Sequence, residues 1–205
     1  VWYGLESEAE PMSPMFNPDG TLTMAAAYSV GDMWYGKSGI NSKKMLVHNT
    51  TSFTTSFWDN TFRLKGDISF RNPYDRETTK RVPVPYSPEP GVIAYLGSST
   101  NDFAEANSSV NYMATNIYGE YEKTFAGAHY FKGMLGMNYE QSLFNSIYTQ
   151  RNGLLFTDVN NINLTNGTGI TIDASHEKWR IAGGFFRINY GFKDRYLLEV
   201  NGRLD

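Results

Sequence analysis

Cysteine is absent from this 205-residue chain, and charge is scarce, since Asp, Glu, Lys and Arg make up 19% of it. Without cysteine there is no disulfide, thiolate nucleophile or zinc–thiolate site. The balance of 18 Lys and Arg against 21 Asp and Glu leaves no basic excess to hold a nucleic-acid backbone, which excludes nucleic acid as a partner. No apolar run approaches the roughly 18 residues that a membrane-spanning helix needs. A membrane β-barrel stays open, because its signal per segment is only a weak alternation.

Aromatic residues are abundant, at 15% of the chain. Disordered segments contain few aromatics, so the composition predicts a folded protein. Apolar residues recur at every second position, which is the period of a β-strand. Six segments show this alternation: 44–58, 62–72, 109–123, 129–141, 178–192 and 195–205. We therefore predict an all-β fold of antiparallel strands, with a short helix possible only in 23–35.

The connections between these segments alternate between short and long. The short ones, 59–61, 124–128 and 193–194, predict tight hairpin turns. The long ones, 73–108 and 143–177, are rich in Pro, Gly, Asn, Ser and Thr. Compact soluble domains rarely carry structureless loops of that length. Outer-membrane barrels, in contrast, have short periplasmic turns on one rim and long extracellular loops on the other. The pattern thus predicts antiparallel strands of a large transmembrane β-barrel.

The alternation also assigns the two faces of the predicted wall. In lipid only a closed sheet pairs every backbone group, with apolar side chains outward and polar ones toward the lumen. The predicted lumen-facing residues are Lys65, Asp67, Arg71, Lys132, Asn138, Glu140, Arg187, Asn189, Glu199 and Arg203.

Aromatic residues flank every short turn. Aromatic rings favour the boundary between lipid and water, so these residues predict one girdle at the level of the turns. An alternative explanation is the general preference of aromatics for strands. The predicted girdle consists of Phe57, Trp58, Phe62, Tyr121, Tyr130, Phe131, Tyr190, Phe192 and Tyr196.

Six strands are fewer than the eight of the smallest membrane barrels, so we expect an arc of a larger wall and a chain cut from a longer protein. In this interpretation 44–205 is the arc, and 1–43 is an N-terminal extracellular loop or partial strand region. The alternative is a secreted β-sandwich that binds carbohydrate. Its sugar-stacking platform would come from the aromatic residues of the N-terminal and loop regions. These are Trp2, Tyr3, Trp34, Tyr35, Tyr86 and Tyr95.

No arrangement of residues predicts an enzyme, a cofactor or a metal site. The three histidines, His48, His129 and His176, lack metal-ligand spacing. Segment 158–163 has the oxygen-rich look of a calcium loop, but it lacks the Gly and the distal Glu of an EF-hand, so a polar surface loop is favoured. Glu120 and Glu122 share a face and could act as acid and base. A solvated lumen explains this pair more simply, because the sequence defines no cleft around it.

The segment 184–205, GFFRINYGFKDRYLLEVNGRLD, resembles the signature hairpin in the barrel of SusC/RagA-type TonB-dependent transporters of Bacteroidetes. Weaker resemblances lie at 64–70 (LKGDISF), 117–125 (IYGEYEKTF) and 134–140 (MLGMNYE). They imply a barrel of about 22 strands with an N-terminal plug.

The same resemblance implies a place in the Gram-negative outer membrane and nutrient uptake of oligosaccharides or peptides. The implied partners are a SusD-like surface lipoprotein and TonB, with TonB contacted through a part of the transporter outside this sequence. Three residues of the hairpin, Arg187, Glu199 and Arg203, would form a polar ladder on the lumen side or contact the plug. No catalytic or substrate-binding motif of the family is present to be carried over.

Overall fold

The structure is a computed structural model that describes residues 12–97 and 101–205. It contains one α-helix, α1 (Met24–Tyr35), and a short 3-10 helix at Ile162–Leu164. The strands are β1 (Gly39–Phe57), β2 (Phe62–Arg81), β3 (Val84–Tyr86), β4 (Ala94–Leu96), β5 (Asp102–Phe125), β6 (His129–Asn152), β7 (Ile170–Phe192) and β8 (Tyr196–Leu204). In this part of the chain, no helix has both the length and the hydropathy to cross a membrane.

Six long strands form one sheet in the order β1-β2-β5-β6-β7-β8, and β3 and β4 form a separate two-stranded sheet. Each of the six predicted segments corresponds to one strand of the large sheet, and only the end residues Trp58, Arg195 and Asp205 fall outside the strands. This confirms the predicted fold class of antiparallel β-strands. The helix also appears where the sequence left room for one. Its first residue follows Thr23, whose Oγ1 accepts a hydrogen bond from the Ala26 N–H at 3.2 Å and caps the helix.

Several strands extend well beyond their predicted ends. β2 continues to Arg81 and β6 to Asn152, while β5 starts at Asp102 and β7 at Ile170. The predicted loops 73–108 and 143–177 are therefore wrong in their bounds, and the connections are 82–101 and 153–169. The extensions of β2, β5 and β6 carry polar residues on both faces, so the alternation that marks a strand fades there. The extension of β7 does alternate, with Ile170, Ile172 and Ala174 between polar residues, and this signal was missed. Pro73, which lies inside β2, added a false loop signal.

The three predicted short turns are confirmed. The backbone has positive φ at Ala126 and Gly127 in the second turn and at Lys193 and Asp194 in the third, as two-residue hairpin loops require. The Lys193 N–H donates to the Ala128 carbonyl at 2.7 Å, which ties the third turn to the second. The Glu122 N–H donates to the Thr61 carbonyl at 2.8 Å and ties β5 to the first turn. All three turns thus lie at one edge of the sheet.

The chain divides into two compact units. The first comprises the described part of residues 1–43 with Asp75–Asn107 and Ser146–Ala174. Its core is formed by Leu22, Ala26, Ala27 and Val84, where α1 packs on β3. β1 begins at Gly39, so the region predicted as a loop or partial strand contains a helix and the start of a strand. The predicted division into 1–43 and 44–205 stays a prediction.

The second unit comprises Lys44–Tyr74, Ser108–Asn145 and Ser175–Asp205. It contains all three short turns and the segments with the clearest alternation. The predicted lumen-facing and girdle residues all lie in this unit.

Candidate functional site

The pairing of β7 with β8 separates a polar face from an apolar face. Arg187 is opposite Asn201 and Asn189 is opposite Glu199, while Ile188 is opposite Val200. Residues directly opposite each other in an antiparallel pair project from the same side of the sheet. The hairpin therefore carries its charged residues on one face and its aliphatic residues on the other, except for Leu197, which is opposite Gly191 on the charged face.

A cluster of charges crosses three strands near the turn edge of the polar face. We call this cluster the charge ladder; its members are Arg63, Lys65, Glu120, Glu122, Tyr130 and Lys132. Lys65 Nζ lies 2.8 Å from Glu120 Oε2, and Arg63 Nε lies 3.5 Å from the same oxygen. Glu122 pairs with Arg63 and lies 3.6 Å from Lys132 Nζ, while the Tyr130 hydroxyl donates to it at 3.0 Å. Two carboxylates are thus shared among three cations.

The charge ladder is poorly suited to acid–base chemistry. An acid and base pair needs two carboxyl groups in unlike environments. Here both carboxylates are ion-paired, and the Glu120 side chain is only 11% exposed. The arrangement fits a polar surface whose carboxylates and cations pair with one another.

Hydrogen bonds continue along the polar face away from the turns. Asn116 Nδ2 donates to Asp67 at 2.9 Å, and the Tyr112 hydroxyl donates to Glu140 at 3.0 Å. Tyr112 also lies against Trp179, with ring centroids 6.2 Å apart. These contacts link neighbouring strands through side chains as well as through the backbone.

Asn138 is the most buried residue of the predicted lumen-facing set, at 4% exposure. With its amide oriented to suit both neighbours, it donates to the Gly183 carbonyl and accepts from Arg203, each at 3.3 Å. Arg203 also pairs with Asp205 at 2.7 Å. Asn138 therefore joins β6 to the middle of β7 and to the C-terminal end of β8.

The structure brings most of the predicted lumen-facing residues into contact with polar neighbours. Arg187 Nε lies 3.5 Å from Glu199 Oε1, and Arg71 is exposed on β2. That the predicted lumen-facing residues are exposed to a lumen stays a prediction. The predicted set omitted Arg63, Glu120 and Glu122, although all three share the polar face by alternation. The signal that could have found them is a charge at every second position of each segment. Segment 62–72 carries cations at positions 63 and 65, and the next segment, 109–123, carries carboxylates at positions 120 and 122.

The predicted girdle residues lie at the turn edge and contact one another. Phe62 packs against Phe57 and Trp58 at 6.1 and 5.9 Å between ring centroids, and Tyr121 lies 6.3 Å from Phe131. Tyr130 differs from the others, because it lies on the polar face within the charge ladder. The girdle itself stays a prediction.

Next to these rings, a polar contact bridges β6 and β7. His129 Nδ1 lies 2.7 Å from the Tyr190 hydroxyl, and the His129 ring lies 4.9 Å from that of Phe192. Tyr196, across the third turn, is 70% exposed.

The apolar face is open. Leu135, Leu198 and Leu204 are 72%, 61% and 80% exposed. No second sheet of the described residues covers them, which argues against the β-sandwich alternative.

Phenylalanine rings fill the space above glycines on this face. A Cβ on Gly66 would lie 2.5 Å from the Phe53 ring, and one on Gly202 would lie 2.6 Å from Phe186. A ring that covers a strand glycine compensates for its missing side chain. These glycines therefore serve packing within one sheet.

The first unit carries the loop residues that the sequence singled out. Asp158 pairs with Lys37, and this ammonium lowers the pKa of the Asp158 carboxyl through a hydrogen bond and its charge. In the described ranges, no three His, Asp or Glu side chains are grouped as metal ligands. The segment 158–163 thus includes an ion-paired carboxylate.

The aromatic residues proposed as a sugar platform are dispersed in the first unit. Trp34 packs edge-on against Phe16 at 5.0 Å, and Tyr35 and Tyr86 pack against the core beside α1. Tyr95 is 59% exposed. Trp2 and Tyr3 lie outside the described residues.

Comparisons with known proteins point to one class. No family model matches the chain. It is 24% identical over 213 residues to TonB-dependent receptor P26 of Formosa agariphila, an alignment that covers 100% of this chain and 21% of the receptor.

Solved structures give the same result for the fold. A structure of the RagAB peptide transporter matches with a TM-score of 0.65 and 14% identity, over 90% of this chain and 19% of that one. The RagAB peptide importer in the "open-open" state matches with a TM-score of 0.66 and 15% identity, over 97% and 20%. The chain spans about a fifth of the relatives that it matches.

These likenesses confirm the resemblance to SusC/RagA-type TonB-dependent transporters that residues 184–205 predicted. The proteins that the chain resembles are receptors and transporters rather than enzymes.

Proposed function

We propose that this chain is part of the barrel wall of an outer-membrane TonB-dependent importer of the SusC type. The observation that carries the proposal is the division of the sheet into an exposed apolar face and an internally paired polar face. Large exposed apolar surfaces are rare on soluble monomers, and lipid is the environment that accommodates them. The likeness in fold to the RagAB structures supports the same placement.

In this proposal the charge ladder faces the lumen. Its three cations and two carboxylates form a hydrated surface with little net field, which suits the passage of polar cargo. The predicted lumen-facing residues farther from the turns would continue this surface with hydrogen-bonding groups.

The proposed cargo is an oligosaccharide or a peptide. The RagAB structures are of a peptide transporter, which supports the peptide branch. A SusD-like surface lipoprotein is the proposed partner. TonB would act on a part of the importer outside this chain.

Cysteine labelling of the full-length receptor tests the wall. This chain has no cysteine, so single substitutions in β8 give position-specific probes, provided that any cysteines elsewhere are removed. In isolated outer membranes, Leu198→Cys and Val200→Cys should resist a water-soluble maleimide, while Glu199→Cys and Asn201→Cys react with it. Equal labelling at all four positions, or release of the protein without detergent, would count against a membrane wall.

Uptake measurements test the importer. Deleting the gene should abolish energised uptake of a labelled oligopeptide or oligosaccharide, and the intact gene should restore it. Removing TonB should reproduce the deletion, because the proposed transport depends on it. If neither cargo class accumulates differently in the deletion strain, the import function is wrong, even if the labelling pattern holds.

A further inference from the structure

A shallow groove crosses the apolar face close to the turn edge. Its volume is about 600 Å³, and its lining includes Phe62, Leu64, Tyr121, Leu135, Phe186 and Ile188. Gly119 and Gly133 also line it, but rings lie over both glycines: a Cβ on Gly119 would be 3.1 Å from the Phe62 ring, and one on Gly133 would be 3.2 Å from the Phe131 ring. The groove is therefore an apolar surface formed by aromatic rings and aliphatic side chains.

Two lysines lie between this groove and the turn edge, beyond the residues that line the groove. Lys123 follows Tyr121 by two positions and shares its face, and its Nζ lies 5.6 Å from the centre of the Phe125 ring. Lys193 lies in the third turn, with Nζ 5.3 Å from the centre of the Phe192 ring. Only β6 lies between the strands that carry them, so their backbones are roughly 10 Å apart.

The two lysines differ from the cations of the polar face. Arg63, Lys65 and Lys132 all pair with carboxylates in the charge ladder. Within the described part of the chain, neither Lys123 nor Lys193 forms a salt bridge. Both ammonium groups rest on aromatic rings and are available to an external anion.

We infer that this groove is a binding site for an anionic phospholipid. One acyl chain lies in the groove against its aliphatic and aromatic side chains, and the phosphate of the headgroup lies between Lys123 and Lys193. The inference rests on the proposed function, because it requires the turn edge to lie at the level of the lipid headgroups. The charge complementarity of the two lysines selects an anionic headgroup over a zwitterionic one.

Native mass spectrometry of the full-length receptor in detergent tests the site. The probes are phosphatidylglycerol and phosphatidylcholine with identical acyl chains, titrated separately. The wild-type receptor should retain phosphatidylglycerol preferentially. The double variant K123Q/K193Q should bind it about thirtyfold more weakly and lose the preference. Leu135→Trp, which fills the groove, should weaken the retention of both lipids.

Matched controls separate the site from general charge and hydrophobicity. Lys178→Gln removes a cation from β7 well away from the turn, and Leu198→Trp enlarges an exposed residue of the same face outside the groove. Both should behave as wild type. The lysine substitutions change only exposed side chains, so they decide the question even if Leu135→Trp does not assemble.

Three results would overturn the inference: equal retention of the two lipids by the wild type, an equal loss in K178Q, or displacement by inorganic phosphate alone. The cysteine labelling of β8 distinguishes a failure of the phospholipid site from a failure of the proposed function. If the labelling alternates but no lipid preference is found, only the phospholipid site is wrong. If the labelling does not alternate, both proposals fail.

Discussion

At the scale of single residues, the ion pairs of the polar face differ in burial. Glu120 is 11% exposed and pairs with Lys65, which is 29% exposed. The Arg187 and Glu199 side chains are 52% and 51% exposed. Exposed ion pairs contribute little to stability, whereas removing one partner of a shielded pair leaves the other charge unsatisfied.

We predict that Glu120→Gln lowers the free energy of unfolding of the full-length protein in detergent by about 1–3 kcal/mol. The matched control Glu199→Gln should change it by less than about 0.5 kcal/mol, because its partner remains hydrated. Urea unfolding followed by tryptophan fluorescence measures both values. Equal effects of the two substitutions would show that the charge ladder has no special role in stability.

Two glycines of neighbouring strands give a second matched pair. A Cβ on Gly136 would lie 2.5 Å from the Phe185 ring and 2.6 Å from Tyr118 Cβ, an atom close to the backbone that cannot swing away. At Gly184 the nearest such atom is a carbonyl oxygen at 3.9 Å. We predict that Gly136→Ala destabilises the full-length protein by about 1–3 kcal/mol.

Gly184→Ala should be neutral, since the added methyl group makes only an ordinary van der Waals contact, with the Gly136 carbonyl oxygen at 3.9 Å. The same unfolding measurement compares the two variants. A neutral Gly136→Ala would mean that β5 and β7 shift easily relative to β6, contrary to the close packing of Tyr118 and Phe185 on this glycine.

At the scale of elements, the second turn combines a favourable residue with an unfavourable one. Gly127 adopts φ 66° at little cost, but Ala126 adopts φ 47°, which an ordinary side chain disfavours. Asn-Gly is the preferred pair for this kind of turn. We predict that Ala126→Asn stabilises the hairpin by about 0.5–1 kcal/mol.

Gly127→Val should destabilise the same turn, because a β-branched residue is strained at positive φ. Ala128→Asn is the neutral control, because Ala128 is not one of the two turn residues with positive φ. Thermal unfolding of the three variants in detergent ranks them. We expect the highest unfolding temperature for Ala126→Asn, a lower one for Ala128→Asn and the lowest for Gly127→Val. Any other order would contradict the turn geometry.

The elements themselves were largely predictable from the sequence. Where one face is apolar and the other polar, as in residues 62–72 and 195–205, a period of two identifies the strand. The strand ends were not predictable, because 73–81 and 142–152 carry polar side chains on both faces and continue through backbone hydrogen bonds, which composition does not report. The charge ladder was only partly predicted, since its members come from three strands whose register no single segment reveals.

At the scale of the whole molecule, the exposed apolar face predicts behaviour in solution. If residues 1–205 are produced alone, we expect them to aggregate in buffer and to stay dispersed only in detergent or lipid, because the apolar side chains of β6 and β8 lack cover. Sedimentation with and without detergent measures this. A monodisperse monomer in plain buffer would favour the soluble carbohydrate-binding alternative.

In the large sheet each strand pairs with the strands of that sheet that come before and after it in the sequence, and, of the described strands, only β3 and β4 intervene, between β2 and β5. This order affects how such a wall can change in evolution. A hairpin such as β5 and β6 begins and ends on the same rim. Duplicating or deleting it would widen or narrow the sheet by two strands without rethreading any other part of the chain. Gene duplication can therefore change the circumference of such a wall in steps of one hairpin. The alternation of polar and apolar faces is kept, because each duplicated hairpin carries both faces with it.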